Sequence, residues 1–141
     1  KYIPYVIEPS VGVDRLMLSI LCDAYNKESL EDGSEREVLK LHPYLAPYKV
    51  AILPLIKKRH SEKAIDVYKI LSKEFSVSYD ESGSIGKRYR RQDAIGTPFS
   101  LTVDDNTIDN GTVTIRDRDT MEQVTLKLEE VIPYIEERIK F

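Results

Sequence analysis

The chain has 141 residues, 41% of them hydrophobic and 32% charged, which suits one ordinary domain with a single buried core and excludes a low-complexity tail. No apolar run reaches the roughly 20 residues of a spanning helix and no signal-peptide pattern opens the chain, so no membrane partner and a cytoplasmic location are expected. One cysteine, two histidines and a net charge of −3 leave no disulfide framework, no metal cluster and no bulk signature of a nucleic-acid binder.

In chain order, residues 3 to 7 (Ile-Pro-Tyr-Val-Ile) are apolar and β-branched and read as a buried strand end, broken by Glu8-Pro9-Ser10. Val13, Leu16, Met17, Ile20, Leu21 and Ala24 then recur at three- and four-residue spacings, predicting an amphipathic helix with Cys22 as a core thiol beside its stripe. Asn26 to Glu37 is charged, carries Gly33 and reads as an exposed connector. The prolines of His42-Pro43 to Ala46-Pro47 suit an extended linker. These divide the chain at 1–26, 27–47 and 48–141.

From Tyr48 onward the pattern is that of an α/β unit: a mixed five-stranded sheet with flanking helices. Val50 to Leu53 predicts a central strand buried on both faces. Ser61 is placed as the N-cap of a helix with inner face Ala64, Ile65, Tyr68, Leu71 and Phe75. Val77 to Tyr79 is a short strand, and Gly83 to Gly86 opens a helix running to about Ala94, with Gly96 as its stop. Phe99 to Val103 is a strand, Asn110-Gly111 a hairpin turn into Thr112 to Asp117, and Gln123 to Leu128 the last strand. Val131, Ile132, Ile135 and Ile139 line a closing helix. His42 and His60 flank loops, and Asp104-Asp105 could bind a cation but reads first as a solvated turn.

Charge is distributed unevenly. Lys87-Arg88-Tyr89-Arg90-Arg91 packs four cations into five positions, and Arg116 and Arg118 recur on a later strand, while acids gather at Glu28 to Glu37 and Glu129 to Glu137. A locally basic face on a mildly acidic body can bind phosphate. On the strand from Thr112, Val113 and Ile115 point one way and Thr112, Thr114 and Arg116 the other; on the last strand Gln123, Thr125 and Lys127 oppose Val124, Leu126 and Leu128. The polar sides can present hydroxyls, amides and cations to an unstacked RNA loop, and Phe99 is an aromatic candidate for stacking on a base, with core packing the preferred reading.

Four segments resemble a known family. The stretch Pro4-Tyr5-Val6-Ile7-Glu8-Pro9-Ser10-Val11-Gly12-Val13-Asp14-Arg15 resembles motif 3 of class II aminoacyl-tRNA synthetases, with a glycine that admits close ligand approach and a helix start that presents an arginine. Leu45 to Leu55, Ile85 to Phe99 and Thr112 to Gln123 resemble the anticodon-binding domain shared by the glycyl, threonyl, prolyl and histidyl enzymes. Tyr89-Arg90-Arg91, Gly96-Thr97-Pro98-Phe99 and Val113-Thr114-Ile115-Arg116-Asp117-Arg118-Asp119 look specifically like the bacterial dimeric glycyl-tRNA synthetase family.

The resemblance implies a carboxy-terminal piece of such an enzyme: a strand-helix remnant of the catalytic domain followed by an anticodon-binding domain. Lys1 in place of an initiator methionine agrees with a piece of a longer polypeptide. The implied roles give Gly12 and Arg15 to ATP, Glu8 and Ser10 to glycine, and Arg88, Arg91, Arg116, Arg118 and Gln123 to tRNA. ATP and Mg2+ are implied as substrate and ion of the parent, with the tRNA-Gly anticodon stem-loop, glycine and a homodimer as its partners. Motifs 1 and 2 do not occur, so the chain alone is expected to form no adenylate. A non-catalytic nucleic-acid-binding module of the same fold, or a threonyl or prolyl enzyme, are the alternative readings.

Overall fold

Alternation along the central strands decides how the domain is layered. The computed structural model describes residues 1–30 and 33–140. Strands β3 (Val50–Pro54), β4 (Val77–Tyr79), β5 (Phe99–Val103), β6 (Thr112–Asp117) and β7 (Gln123–Lys127) form one sheet in the order β4-β3-β5-β6-β7. β3 runs parallel to β4 and β5, and β6 and β7 add antiparallel to β5 and to each other. Successive side chains point to opposite faces. Val50, Ile52, Phe99, Leu101, Val103, Val113 and Ile115 therefore share one face, and meet Ala64, Val67 and Leu71 of α2 (Lys57–Leu71) and Val131 and Ile135 of α5 (Leu128–Ile139) in the apolar core. Phe99 packs edge-on to Tyr134 of α5 with ring centroids 6.1 Å apart, so its ring belongs to that core.

The other face is polar. Ser100, Thr102, Thr114 and Arg116 alternate with the core positions, and this face is covered in part by α3 (Ile85–Ile95), whose own buried residues are Arg88, Gln92 and Asp93. Tyr89 Oη lies 2.6 Å from Thr102 Oγ1, and Gln92 bonds Ser78 at 3.4 Å and Thr97 at 2.9 Å. Buried polar groups are tolerated only when paired, and here helix and sheet supply each other's partners. Gly96 ends α3 at φ 83, in the left-handed region that a side chain disfavours.

Several local expectations are overturned. Residues 3–7 form no strand. Tyr5 and Ile7 are 98% and 93% exposed, because an extended segment becomes a strand only where a neighbour completes its ladder, and neither sheet supplies one. The predicted amphipathic helix is present as α1 (Val13–Ala24), but Cys22 lies on its exposed side and is no core thiol. Asn26 to Glu37 is not an exposed connector: β1 (Tyr25–Ser29) and β2 (Glu35–Leu39) pair antiparallel, and Val38 and Arg36 are buried. Glu31 and Asp32 of that stretch lie outside the described residues.

Ser61 does not cap α2, which begins four residues earlier. Its Oγ sits 2.6 Å from the Lys57 carbonyl inside the first turns. His60 caps instead, its Nδ1 accepting the Ile56 N–H at 3.0 Å, and it is buried rather than flanking a loop. The inner face of α2 runs through His60, Ala64, Val67 and Leu71, with Ile65 left 42% exposed. Asn110-Gly111 makes no direct hairpin turn. A short helix, α4 (Asp105–Asp109), separates β5 from β6, nucleated by a capping box in which Asp104 Oδ1 accepts from Thr107 N–H and Thr107 Oγ1 accepts from Asp104 N–H. Asp105 is likewise no free turn residue, since it pairs with Arg59 and His60 at 2.9 Å each.

Lys49 fastens the segment before the sheet. Its Nζ donates to the carbonyls of Pro43, Tyr44 and Ala46 at 3.1, 2.6 and 2.8 Å. Burial lowers its pKa, and the three carbonyls accept the ammonium protons that water would otherwise hold.

Candidate nucleic-acid interface

Where α3 leaves the β6–β7 end of the sheet uncovered, a cleft of about 630 Å³ opens. Gly86, Lys87, Tyr89, Arg90 and Arg91 line it from the helix, and Arg116, Met121 and Gln123 from the strands and their turn. Lys87 has no ion-pair partner among the described residues, and Gln123 is exposed opposite Arg116 in the β6–β7 register. The wall thus combines cations, an amide and an aromatic ring, the groups that grip phosphates and unstacked bases.

Its back is built on one carboxylate. Asp93 is buried and receives Arg116 through both terminal nitrogens, Nη1 to Oδ1 at 2.9 Å and Nη2 to Oδ2 at 3.2 Å. Arg36 of β2 reaches the same Oδ2 at 3.2 Å, and Arg90 approaches it at 3.7 Å. Arg36 also donates to the Arg118 carbonyl at 2.9 Å and pairs with Glu28, which Lys40 contacts as well. These cations hold the Glu28 carboxyl below its usual range, the Lys40 hydrogen bond contributing most. Four cations meet two carboxylates around this point, so the cleft keeps an excess of positive charge with the buried guanidinium groups of Arg36 and Arg116 both paired. The Arg116 guanidinium lies over the Tyr89 ring, 4.9 Å from its centroid.

The residues expected to meet tRNA separate into two groups. Arg116, Arg91 and Gln123 come together in the cleft, Arg91 being tied to Asp80 at 2.6 Å and to the Ser82 carbonyl at 2.6 Å. Arg88 and Arg118 do not line the cleft, and Arg116, which does, is itself only 5% exposed. Arg88 is buried, donating to the carbonyls of Pro54 and Gly83, and Arg118 is buried, donating to Gly96 and Leu41 carbonyls at 2.9 and 2.8 Å and to Asp119 at 2.8 Å. Spacing alone treats all cations of a run alike, whereas on α3 a residue three or four positions on shares a face. Arg88 accordingly falls with Gln92 on the inward side, and Lys87 and Arg91 fall outward. Tyr89 and Arg90 belong to the cleft too, and Asp93 and Arg36 behind it lay outside the predicted site.

At the amino-terminal end, Glu8, Ser10, Gly12 and Arg15 are all exposed, on an irregular segment and the first turn of α1. The groove beside α1, lined by Val13, Leu16, Met17, Ile20, Leu41 and Pro47, is apolar and carries none of the four. No group of three or more His, Cys, Asp or Glu able to hold a metal occurs among the described residues. No helix among them is long and apolar enough to cross a membrane.

A further charged cluster flanks α3 on the side of β4. Glu81 accepts from Lys57 at 2.5 Å, and lies 2.9 Å from both Ser61 Oγ and Tyr79 Oη. These partners, Lys57 foremost, hold its pKa down to about 2. The cluster ties the start of α2 to the end of β4.

With this geometry in place, similarity to known proteins decides the family. Residues 49–138 match the family described as "Anticodon binding domain". The chain belongs to that family. The chain resembles the RNA binding domain of threonyl-tRNA synthetase from Cryptosporidium parvum Iowa II, whose crystal structure superposes with a TM-score of 0.64 at 29% identity, covering 70% of this chain and 25% of that one. Over its full length the chain is 60% identical to the glycine–tRNA ligase of Clostridium kluyveri, and over 140 residues 60% identical to that of Clostridium acetobutylicum. The Macrococcus caseolyticus glycine–tRNA ligase is 57% identical over 141 residues. The chain spans about 30% of the length of these relatives. Similarity therefore extends beyond the anticodon-binding domain, through α1 and the β1–β2 hairpin.

Proposed function

We propose that the chain is the carboxy-terminal part of a glycyl-tRNA synthetase and that it recognises the anticodon loop of tRNA-Gly through the cleft between α3 and the β6–β7 turn. The observation that carries this reading is the cleft itself: Lys87, Arg90 and Arg91 beside an aromatic ring and an exposed amide, on a domain of the anticodon-binding family. Lys87, Arg90 and Arg91 attract the phosphates of the loop, an attraction that weakens with salt. Tyr89 offers a ring on which an unstacked base can lie, and Gln123 offers a donor and an acceptor to a base edge. Arg88 and Arg118 take part by holding the cleft's framework rather than by touching RNA.

The rest of the assignment belongs to the parent enzyme. There, Glu8 and Ser10 would hold the glycine ammonium, and Gly12 and Arg15 would meet ATP accompanied by Mg2+. Residues 1–26 continue the catalytic domain, 27–47 join it to the anticodon-binding domain at 48–141, and the parent works as a cytoplasmic homodimer. Similarity to glycine–tRNA ligases along the whole of this chain supports its reading as part of such an enzyme.

Amide chemical-shift mapping with a tRNA-Gly anticodon stem-loop tests the reading. Shifts confined to residues 86–91, 116 and 121–125 are expected. Shifts concentrated on the outer faces of α2 and α5 would contradict it.

A further inference from the structure

Asp93 lies behind the cleft wall with its side chain 1% exposed, and so cannot touch a ligand in the cleft. It nevertheless receives three guanidinium groups from three elements: Arg116 from β6, Arg36 from β2 and Arg90 from its own helix. The Arg116 contact differs from the others in using both carboxylate oxygens. A two-point contact fixes the plane of a guanidinium as well as its place, which a single contact does not. The plane matters because Arg116 lies over the Tyr89 ring at 4.9 Å, and Tyr89 is held at its far end by Thr102, at 2.6 Å. Carboxylate, guanidinium and phenol thus form one chain of contacts, the carboxylate edge-on to the guanidinium and the guanidinium over the phenol ring, and its last two members line the cleft.

Resting on the functional reading above, we propose that Asp93 is the positioning residue for anticodon discrimination: by fixing the plane of Arg116 it sets the Arg116–Tyr89 stack against which a base is read. The cations that attract phosphate are separate from this device. Lys87 carries no ion pair among the described residues, and Arg91 is placed by Asp80. Discrimination between anticodons and salt-dependent attraction therefore rest on different residues of one cleft. Loss of Asp93 removes the first and leaves the second.

The test titrates the chain with a tRNA-Gly anticodon stem-loop and with one of swapped anticodon across a salt series. Four proteins are compared, wild type, Asp93→Asn, Arg36→Met and Lys87→Ala, each first shown to be folded by its melting transition. Asp93→Asn is expected to reduce the preference for the glycine anticodon by about tenfold with the salt slope kept, because base readout is lost while phosphate contacts stay. Arg36→Met removes another partner of the same carboxylate but leaves the Arg116 contact, so its preference should persist even where its stability falls. Lys87→Ala should weaken binding to both loops equally and lower the salt slope by about one.

Unchanged preference in Asp93→Asn, or equal loss in Asp93→Asn and Arg36→Met, overturns the assignment. Should Asp93→Asn not fold, Asp93→Glu carries the test. It keeps the charge but displaces the carboxylate by one methylene, so a reduced preference is expected and an intact one contradicts. Equal binding of both loops by the wild type would overturn the functional reading itself, and this assignment with it.

Discussion

Arg118 sends its guanidinium into the interior, to the carbonyls of Gly96 and Leu41 and the carboxylate of Asp119. Replacing it with methionine strands two carbonyls in a buried setting. We expect Arg118→Met to cost on the order of 3 kcal/mol in urea denaturation, far more than the loss of a surface cation. Glu81 behaves differently because its partners act at the surface. Its pKa is held down to about 2 from an ordinary 4.5, so the folded state favours its charged form. That stability is fully present above about 4.5 and disappears as pH falls through about 2. Glu81→Gln should therefore melt below wild type at neutral pH, with the difference closing across that window; a difference independent of pH would contradict it. Residue identity announced the chemistry of these groups but not their direction. The run of cations at 87–91 reads as one basic patch, and only the turn of α3 sends Arg88 inward while Lys87 and Arg91 stay out.

At the scale of elements, α3 and the β1–β2 hairpin hold the polar face together. Gly96 ends α3 at φ 83, and a methyl there would meet the Leu39 carbonyl at 3.0 Å and Leu41 Cδ1 at 3.2 Å. Gly96→Ala should lose about 1–2 kcal/mol from the backbone conformation alone, with crowding against β2 added, as a urea titration would show. The hairpin itself docks through Arg36, so Arg36→Met should lose amide-exchange protection across residues 25–39 while β3, β5 and β6 keep theirs. Elements with strong periodicity or a conformational stop were legible: the stripe from Val13 to Ala24, the run at 50–53 and Gly96 all appear where expected. The hairpin was not, because its charged strands look solvated until Asp93, 57 residues on, accepts Arg36. A capping box at Asp104 and Thr107 was a local sign of α4 that the stronger Asn110-Gly111 turn signal concealed.

For the whole molecule, composition and alternation announced a mixed five-stranded sheet with helices, and the sheet is present in the order β4-β3-β5-β6-β7. The polar side of that sheet was correctly separated from the core side by parity at Val113 and Ile115, yet parity could not tell that Arg116 would be absorbed by a helix laid over it. The exposed amino-terminal segment, with Glu8, Ser10 and Arg15 facing solvent, leads to the expectation that glycine-dependent pyrophosphate exchange is undetectable with this chain. Exchange above background would show that these residues complete a site unaided. The central claim concerns the cleft, and titration of the chain with matched stem-loops carrying the glycine anticodon and a swapped one tests it most directly. A clear preference for the glycine anticodon that survives rising salt, as overall affinity falls, is the predicted result. Equal affinities that decline together with salt would mean that the cleft holds phosphates without reading bases, and would contradict the account.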